Sequence, residues 1–134
     1  MLSDSQKRAY ARQISLPEIG FSGQERICAS RVRVEGQDDA HAIASEYLAR
    51  AGVQLTEAPD GGAEESSDAA AASVRISSND VAALAEHPSL AHAARFFVGA
   101  WHAVEALKHV LPEGRAAGLP ETEAFTLPRA KETV

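Results

Sequence analysis

Hydrophobic and polar positions divide this chain into a helical start, a short β-α-β stretch and one long periodic helix. Ser3 followed by Gln6 has capping-box spacing, which predicts a helix from Asp4 to about Gln13 with Tyr10 and Ile14 one turn apart. Pro17 and Gly20 stop it. Ser22 followed by Glu25 repeats the spacing and predicts a second short helix through Ala29, offering Ile27 to a core. Residues 1–30 thus read as a helical hairpin. Arg31-Val32-Arg33-Val34-Glu35 alternates and is β-branched, so a strand should end at Gly36. From Ala40 to Ala51, residues Ile43, Tyr47, Leu48 and Ala51 share a helical face, and Gly52 stands where a left-handed cap belongs. Val53 to Thr56 suggests a second strand, which makes 31–57 a β-α-β unit of the kind that builds a parallel sheet.

The pattern then lapses. Residues 58–73 are Pro, Gly, Ala, Ser and acid, too poor in core-forming side chains to pack, and read as a flexible loop. Over 74–111 order returns. A strand is expected at 73–77, then a helix over 81–86 that starts from Ser77 or Ser78 with Asn79 and Asp80 and ends at Pro88. Ser89 can cap a long helix in which Leu90, Ala94, Phe97, Trp101, Val104, Leu107 and Leu111 recur three or four apart. The tail 112–134 is punctuated by Pro and Gly, with an edge strand expected at 124–127. No internal repeat is evident.

At 134 residues the chain has room for one domain with a modest core. Its formal charge of -6, with 13 basic residues scattered among 19 acidic ones, argues against a nucleic-acid partner. No apolar run approaches the roughly 20 residues of a membrane helix, and the start lacks a signal-peptide layout, so a cytoplasmic location without membrane contact is the expectation. Cys28 is the only cysteine and reads as a half-buried helical side chain.

The segment Tyr10-Ala11-Arg12-Gln13-Ile14-Ser15-Leu16-Pro17-Glu18-Ile19-Gly20-Phe21-Ser22-Gly23-Gln24 resembles the N-terminal signature of the ThiF/MoeB/HesA family, bacterial relatives of ubiquitin-activating enzymes. The resemblance continues through Arg31 to Val53 and returns at Val98-Gly99-Ala100-Trp101-His102-Ala103-Val104-Glu105-Ala106-Leu107-Lys108. It implies an α/β, minimal Rossmann-like three-layer fold with a short, mostly parallel sheet, truncated into a single domain over 1–134. In that family the Rossmann domain binds ATP and adenylates the C-terminal glycine of a ubiquitin-like protein.

The resemblance breaks at the chemistry. A phosphate-binding loop uses glycines so that backbone N–H groups at a helix N-terminus can approach the phosphates. Only Gly36 remains here; Asp38, Asp39 and His41 stand where the family has glycine, and two carboxylates there repel a phosphate. As an alternative, Asp38, Asp39 and His41 can be read as metal ligands, but residues at a helix start more often satisfy the helix dipole. Asp60 is one position out of register for the family's ribose-binding acid, and Asn79-Asp80 echoes its later Asp-Asn pair in reverse order. The catalytic cysteine loop and Cys-x-x-Cys zinc pairs have no counterpart, so ATP and zinc sites are expected to be lost and no catalytic residue or metal is assigned. His102 and His109, seven apart on one helix, lie too far from each other to share a metal.

Members of the family are dimers in which the Arg of Y-x-R-Q acts on phosphates bound by the other protomer. Arg12 occupies that position. The resemblance therefore implies a pseudoenzyme that partners itself or a full-length ThiF/MoeB-like enzyme, with Tyr10, Ile14, Leu16, Ile19, Phe97 and Trp101 as the expected interface. The alternatives are a homodimeric small-molecule or peptide binder on the same scaffold, and a weak residual adenylyltransferase.

Overall fold

The computed structural model describes residues 1–36, 38–56, 71–85 and 87–111. Three short helices, α1 (Asp4–Ala9), α2 (Ala11–Ile14) and α3 (Gly20–Ala29), lead into strand β1 (Arg31–Glu35). Helix α4 (Asp39–Ala51), β2 (Gln54–Leu55), β3 (Ala71–Arg75), α5 (Ser78–Leu84), a 3-10 turn at Pro88–Leu90 and α6 (Ala91–Val110) follow. The sheet has the order β2-β1-β3, and β1 runs parallel to both neighbours. This is the α/β, minimal Rossmann-like class expected from the sequence. No described helix is long and apolar enough to cross a membrane.

Several boundaries differ from the sequence expectation, each for a local reason. The Ser3–Gln6 capping box is present, but the first helix breaks at Tyr10, where φ is -103° and ψ 16°. The Tyr10 ring lies against Gly52: a Cβ added there would be 3.0 Å from the ring. A tertiary contact therefore divides what periodicity reads as one helix. No capping box forms at Ser22 and Glu25, because α3 begins earlier, at Gly20, with Ile19 as an N-cap that makes no side-chain hydrogen bond. The Leu16 carbonyl accepts from Ile19 and Gly20, so the turn feeds the helix directly. Gly52 caps α4 in the left-handed region as expected. β3 begins at Ala71, so the end of the expected 58–73 loop belongs to the sheet. The rest of that loop and the 124–127 strand lie outside the described residues. Ser77 and Asp80 form the capping box of α5. Ser89 is not the cap of the long helix; it sits within the 3-10 turn, which His87 caps through Nδ1.

In α6 the buried positions are Ala94, Val98, Gly99, Ala103 and Ala106; of the recurring apolar positions Ala94 is thus buried, Phe97, Leu107 and Leu111 pack half-buried against the core, and Val104 is exposed. The reason is close approach: a Cβ on Gly99 would lie 2.5 Å from the Ala40 carbonyl oxygen and 2.8 Å from Ile43 Cβ. Small side chains let α6 lie directly on α4. One core cluster joins Ile27, Val32, Leu48, Ala51, Val53, Ala103 and Ala106. A second joins Ala40, Ala44, Ile76, Val81, Leu84, Ala94 and Val98. Val34 and Val74 touch both.

Those contacts put the helices on the face of the sheet that carries Val32 and Val34. By the two-residue period of a strand, Arg31, Arg33 and Glu35 lie on the other face. Their partners in register there are Ser73 for Arg33 and Arg75 for Glu35. Among the described residues the layers are thus two, a sheet and its helices. Arg75 Nε donates to Glu35 Oε2 at 3.0 Å and the Ser73 hydroxyl donates to Oε1 at 3.2 Å. The Arg75 hydrogen bond, with its charge, Ser73 and Arg33 assisting, holds the Glu35 carboxyl below the usual carboxylate range.

The hairpin is fastened by Gln24, the last residue of the motif and fully buried. Its Nε2 donates to the Ala51 carbonyl at 2.9 Å, satisfying an end-of-helix acceptor of α4, while Oε1 has no partner. Gln24→Ala, which leaves a cavity and an unbonded carbonyl, is expected to lower unfolding free energy by about 2–3 kcal/mol. Gln24→Met keeps the volume and removes the unpaired oxygen, so its cost should be nearer 1 kcal/mol. Urea denaturation of the two variants measures the difference.

Candidate functional site

Ligands of open parallel sheets bind beyond the carboxyl ends of the strands. At that end β1 runs into Gly36, whose φ of 152° is open to glycine and strained for other residues. A Cβ there would also lie 3.2 Å from His41 Cβ and 3.4 Å from the Ile76 carbonyl. Asp38 is extended and caps α4, its Oδ1 accepting the His41 N–H at 3.1 Å. Asp39 follows in the first turn and faces Arg95 at 3.9 Å. The His41 ring turns inward, with Nε2 3.1 Å from the Val34 carbonyl. Asp38, Asp39 and His41 therefore go to three different partners, and no group of three or more metal-ligating side chains occurs among the described residues. The carboxylate of Asp38 occupies the helix N-terminus itself, where an anion would otherwise be favoured.

Sequence reasoning missed the neighbouring pair. Asp80 Oδ2 accepts the Ser77 N–H at 3.2 Å and lies 3.4 Å from His102 Nε2, with both side chains mostly buried. The imidazole thus faces a carboxylate already committed to a helix cap. Spacing could not reveal this contact, because it joins α5 to α6 across 22 positions.

Arg12 lies far from both groups. It is exposed on α2, two residues beyond Tyr10, whose ring meets Gly52 at the far end of α4. The 13-residue α4 separates that end from Asp38, by about 20 Å at 1.5 Å per residue. Beside the hairpin, Pro17, Glu18, Ile19, Ser22, Gly23, Arg26 and Leu111 line an open cavity of about 270 Å³.

The residues expected at an interface divide into two groups. Tyr10 packs on Gly52, Ile19 joins the first cluster and Phe97 the second, and Trp101 stacks on Phe97 at 5.8 Å with Lys108 over its ring. Ile14 is half-buried. Leu16 is exposed, and so is its neighbour Phe21, at 60%. A second apolar surface, unforeseen from the sequence, lies on α4 and α6. Tyr47 and Phe96 meet edge to face at 6.1 Å there, and each remains nearly half exposed.

No family model matches the chain. Individual proteins do. It is 37% identical over 67 residues to the adenylyltransferase and sulfurtransferase uba4 of Aspergillus niger, covering 50% of this chain and 14% of that protein. Over 52 residues it is 44% identical to the adenylyltransferase and sulfurtransferase MOCS3 of Bos taurus, covering 39% of this chain and 11% of that one. Over another match of 52 residues it is 42% identical to the molybdopterin-synthase adenylyltransferase of Haemophilus influenzae, covering 39% and 21%. The matched stretch is thus at most about a fifth of each curated relative. These identities, together with the short parallel sheet and its helices, support a relationship between the matched stretch of this chain and the ThiF/MoeB-type adenylyltransferases.

Proposed function

We propose that this chain is a non-catalytic member of that family which associates with a second subunit and lends it the N-terminal hairpin. The observation that carries this reading is the position of Asp38. Its carboxylate accepts the His41 N–H at the start of α4, where a nucleotide phosphate would need to sit, and Asp39 adds a second negative charge in the same turn. Arg12, by contrast, stands exposed at the opposite end of α4 and cannot reach its own glycine turn. An arginine so placed can serve phosphate chemistry only in another subunit, where a fixed cation stabilises developing charge. Exposed Leu16 and Phe21 on the hairpin supply apolar contact beside it.

Two measurements test the reading. Calorimetry with ATP and magnesium should give a dissociation constant weaker than about 100 µM, corresponding to less than about 5.5 kcal/mol. Mixed with a full-length ThiF/MoeB-type enzyme from the same organism, the chain should form a complex by light scattering and raise ATP–pyrophosphate exchange. Arg12→Ala should keep the complex and lose the increase. Tight ATP binding by the chain alone, or the lack of any complex, would overturn the proposal.

A further inference from the structure

The cavity beside the hairpin has an apolar floor and two charges on its rim that the fold does not use. A Cβ on Gly23 would lie 3.1 Å from Leu111 Cδ2 and 3.3 Å from Ile19 Cγ2, and Ile19 and Leu111 pack in turn on the first core cluster. Glu18 stands in the turn before α3, while Ser22 and Arg26, four positions apart, share one face of that helix. All three line the cavity and are exposed. Among the described residues none of their side chains makes a hydrogen bond or an ion pair, so Glu18 and Arg26 also stand beyond ion-pair distance of each other. Elsewhere such charges are matched locally: Lys7 with Asp4, Arg50 with Glu46, Lys108 with Glu105, and Arg75 with Glu35. Glu25, the neighbour of Arg26 in sequence, faces the N-terminal ammonium at 3.7 Å instead.

Size and wall chemistry together select a ligand class. At about 270 Å³ the cavity is smaller than the about 300–1,000 Å³ that holds a drug-sized molecule. It admits a molecule of amino-acid size. A guanidinium with a hydroxyl one turn away takes a carboxylate through charge-assisted hydrogen bonds, and the Glu18 carboxylate takes an ammonium. The floor of Ile19, Gly23 and Leu111 takes an aliphatic chain. One exposed ion pair by itself contributes little, so the affinity rests on a single small molecule meeting both charges and the floor at once. A peptide end carries only one of the two charges on its terminal residue. A free amino acid carries both.

We propose that this cavity binds a free α-amino acid with a branched aliphatic side chain, its carboxylate on Arg26 and Ser22, its ammonium on Glu18 and its side chain against Ile19 and Leu111. The site lies within one chain and needs no second subunit. Titration of the full-length chain with free leucine, followed by NMR at the Ser22, Gly23 and Arg26 amides, should give a dissociation constant of about 1 mM or tighter. Two analogues with the same aliphatic body, 4-methylpentanoate without the amine and 3-methylbutylamine without the carboxylate, should each bind at least about tenfold more weakly. Arg26→Gln should weaken leucine and 4-methylpentanoate alike, whereas Glu18→Gln should weaken leucine and leave 4-methylpentanoate unchanged. Both side chains are exposed, so neither change threatens the fold. No shift at those amides up to about 20 mM leucine would overturn the proposal. So would unchanged leucine binding by either variant, or 4-methylpentanoate binding as tightly as leucine, which would mean that the cavity holds only an anion.

Discussion

Gly99→Val is expected to destabilise the protein by about 3 kcal/mol or more, although it replaces a mid-helix glycine. Intrinsic propensity favours a change away from Gly at such a position, by up to about 1 kcal/mol for Ala and less for Val. Packing opposes it more strongly. The new Cβ would sit 2.5 Å from the Ala40 carbonyl oxygen and 2.9 Å from Ile43 Cγ2, where carbon atoms need about 3.5 Å or more. The backbone oxygen cannot swing aside, so α6 and α4 must separate by about 1 Å. That movement loosens Ala44 and Val98 in one cluster and Leu48 and Ala103 in the other. Gly99→Ala should also be destabilising, by about 1–2 kcal/mol, because overpacking exceeds the helix gain. Urea midpoints decide the sign; a midpoint raised by Gly99→Ala would show that the helices lie farther apart than described.

Leu48→Ala should cost about 3–4 kcal/mol. Leu48 is fully buried on α4 and belongs to the cluster that joins α3, β1, α4 and α6. Removing its branched end leaves a cavity in the cluster that holds Ile27 of α3, Val32 of β1 and Val53 of the link between α4 and β2, which cannot collapse together. Out of a total stability of about 5–15 kcal/mol for an ordinary domain, such a loss leaves a protein with a markedly lower urea midpoint. Tyr47→Ala, one residue away, removes a side chain that is 46% exposed and engages Phe96 edge to face. Its cost should be nearer 1 kcal/mol. Similar losses from the two substitutions would mean that the buried face of α4 is not the one described.

Much of the fold was legible because it is written in local chemistry. The Ser3 and Ser77 capping boxes, the Gly52 cap and the alternation of β1 each act within a few residues, where spacing alone determines geometry. The turn at Asp38 was legible for the same reason: an acid at a helix start bonds the N–H groups beside it. The family relationship was legible too, carried by the hairpin motif and the run from Arg31 to Val53.

Long-range contacts were not legible. Periodicity in α6 marks two apolar faces, one of large side chains and one of small, and cannot rank them. Gly99 against the Ala40 carbonyl settles the matter, because helix separation is a property of the pair. Tyr10 leaves the helix only because Gly52, distant in sequence, offers a surface for its ring. The same holds for the Asp80–His102 contact and for Gln24 on the Ala51 carbonyl. By itself, then, the sequence determined the order of elements, their caps and the acidic turn after β1, since these depend on neighbours along the chain. Only the tertiary structure decided which face of α6 is core, which expected interface residues are buried, and how far Arg12 stands from Asp38, because those depend on neighbours across it.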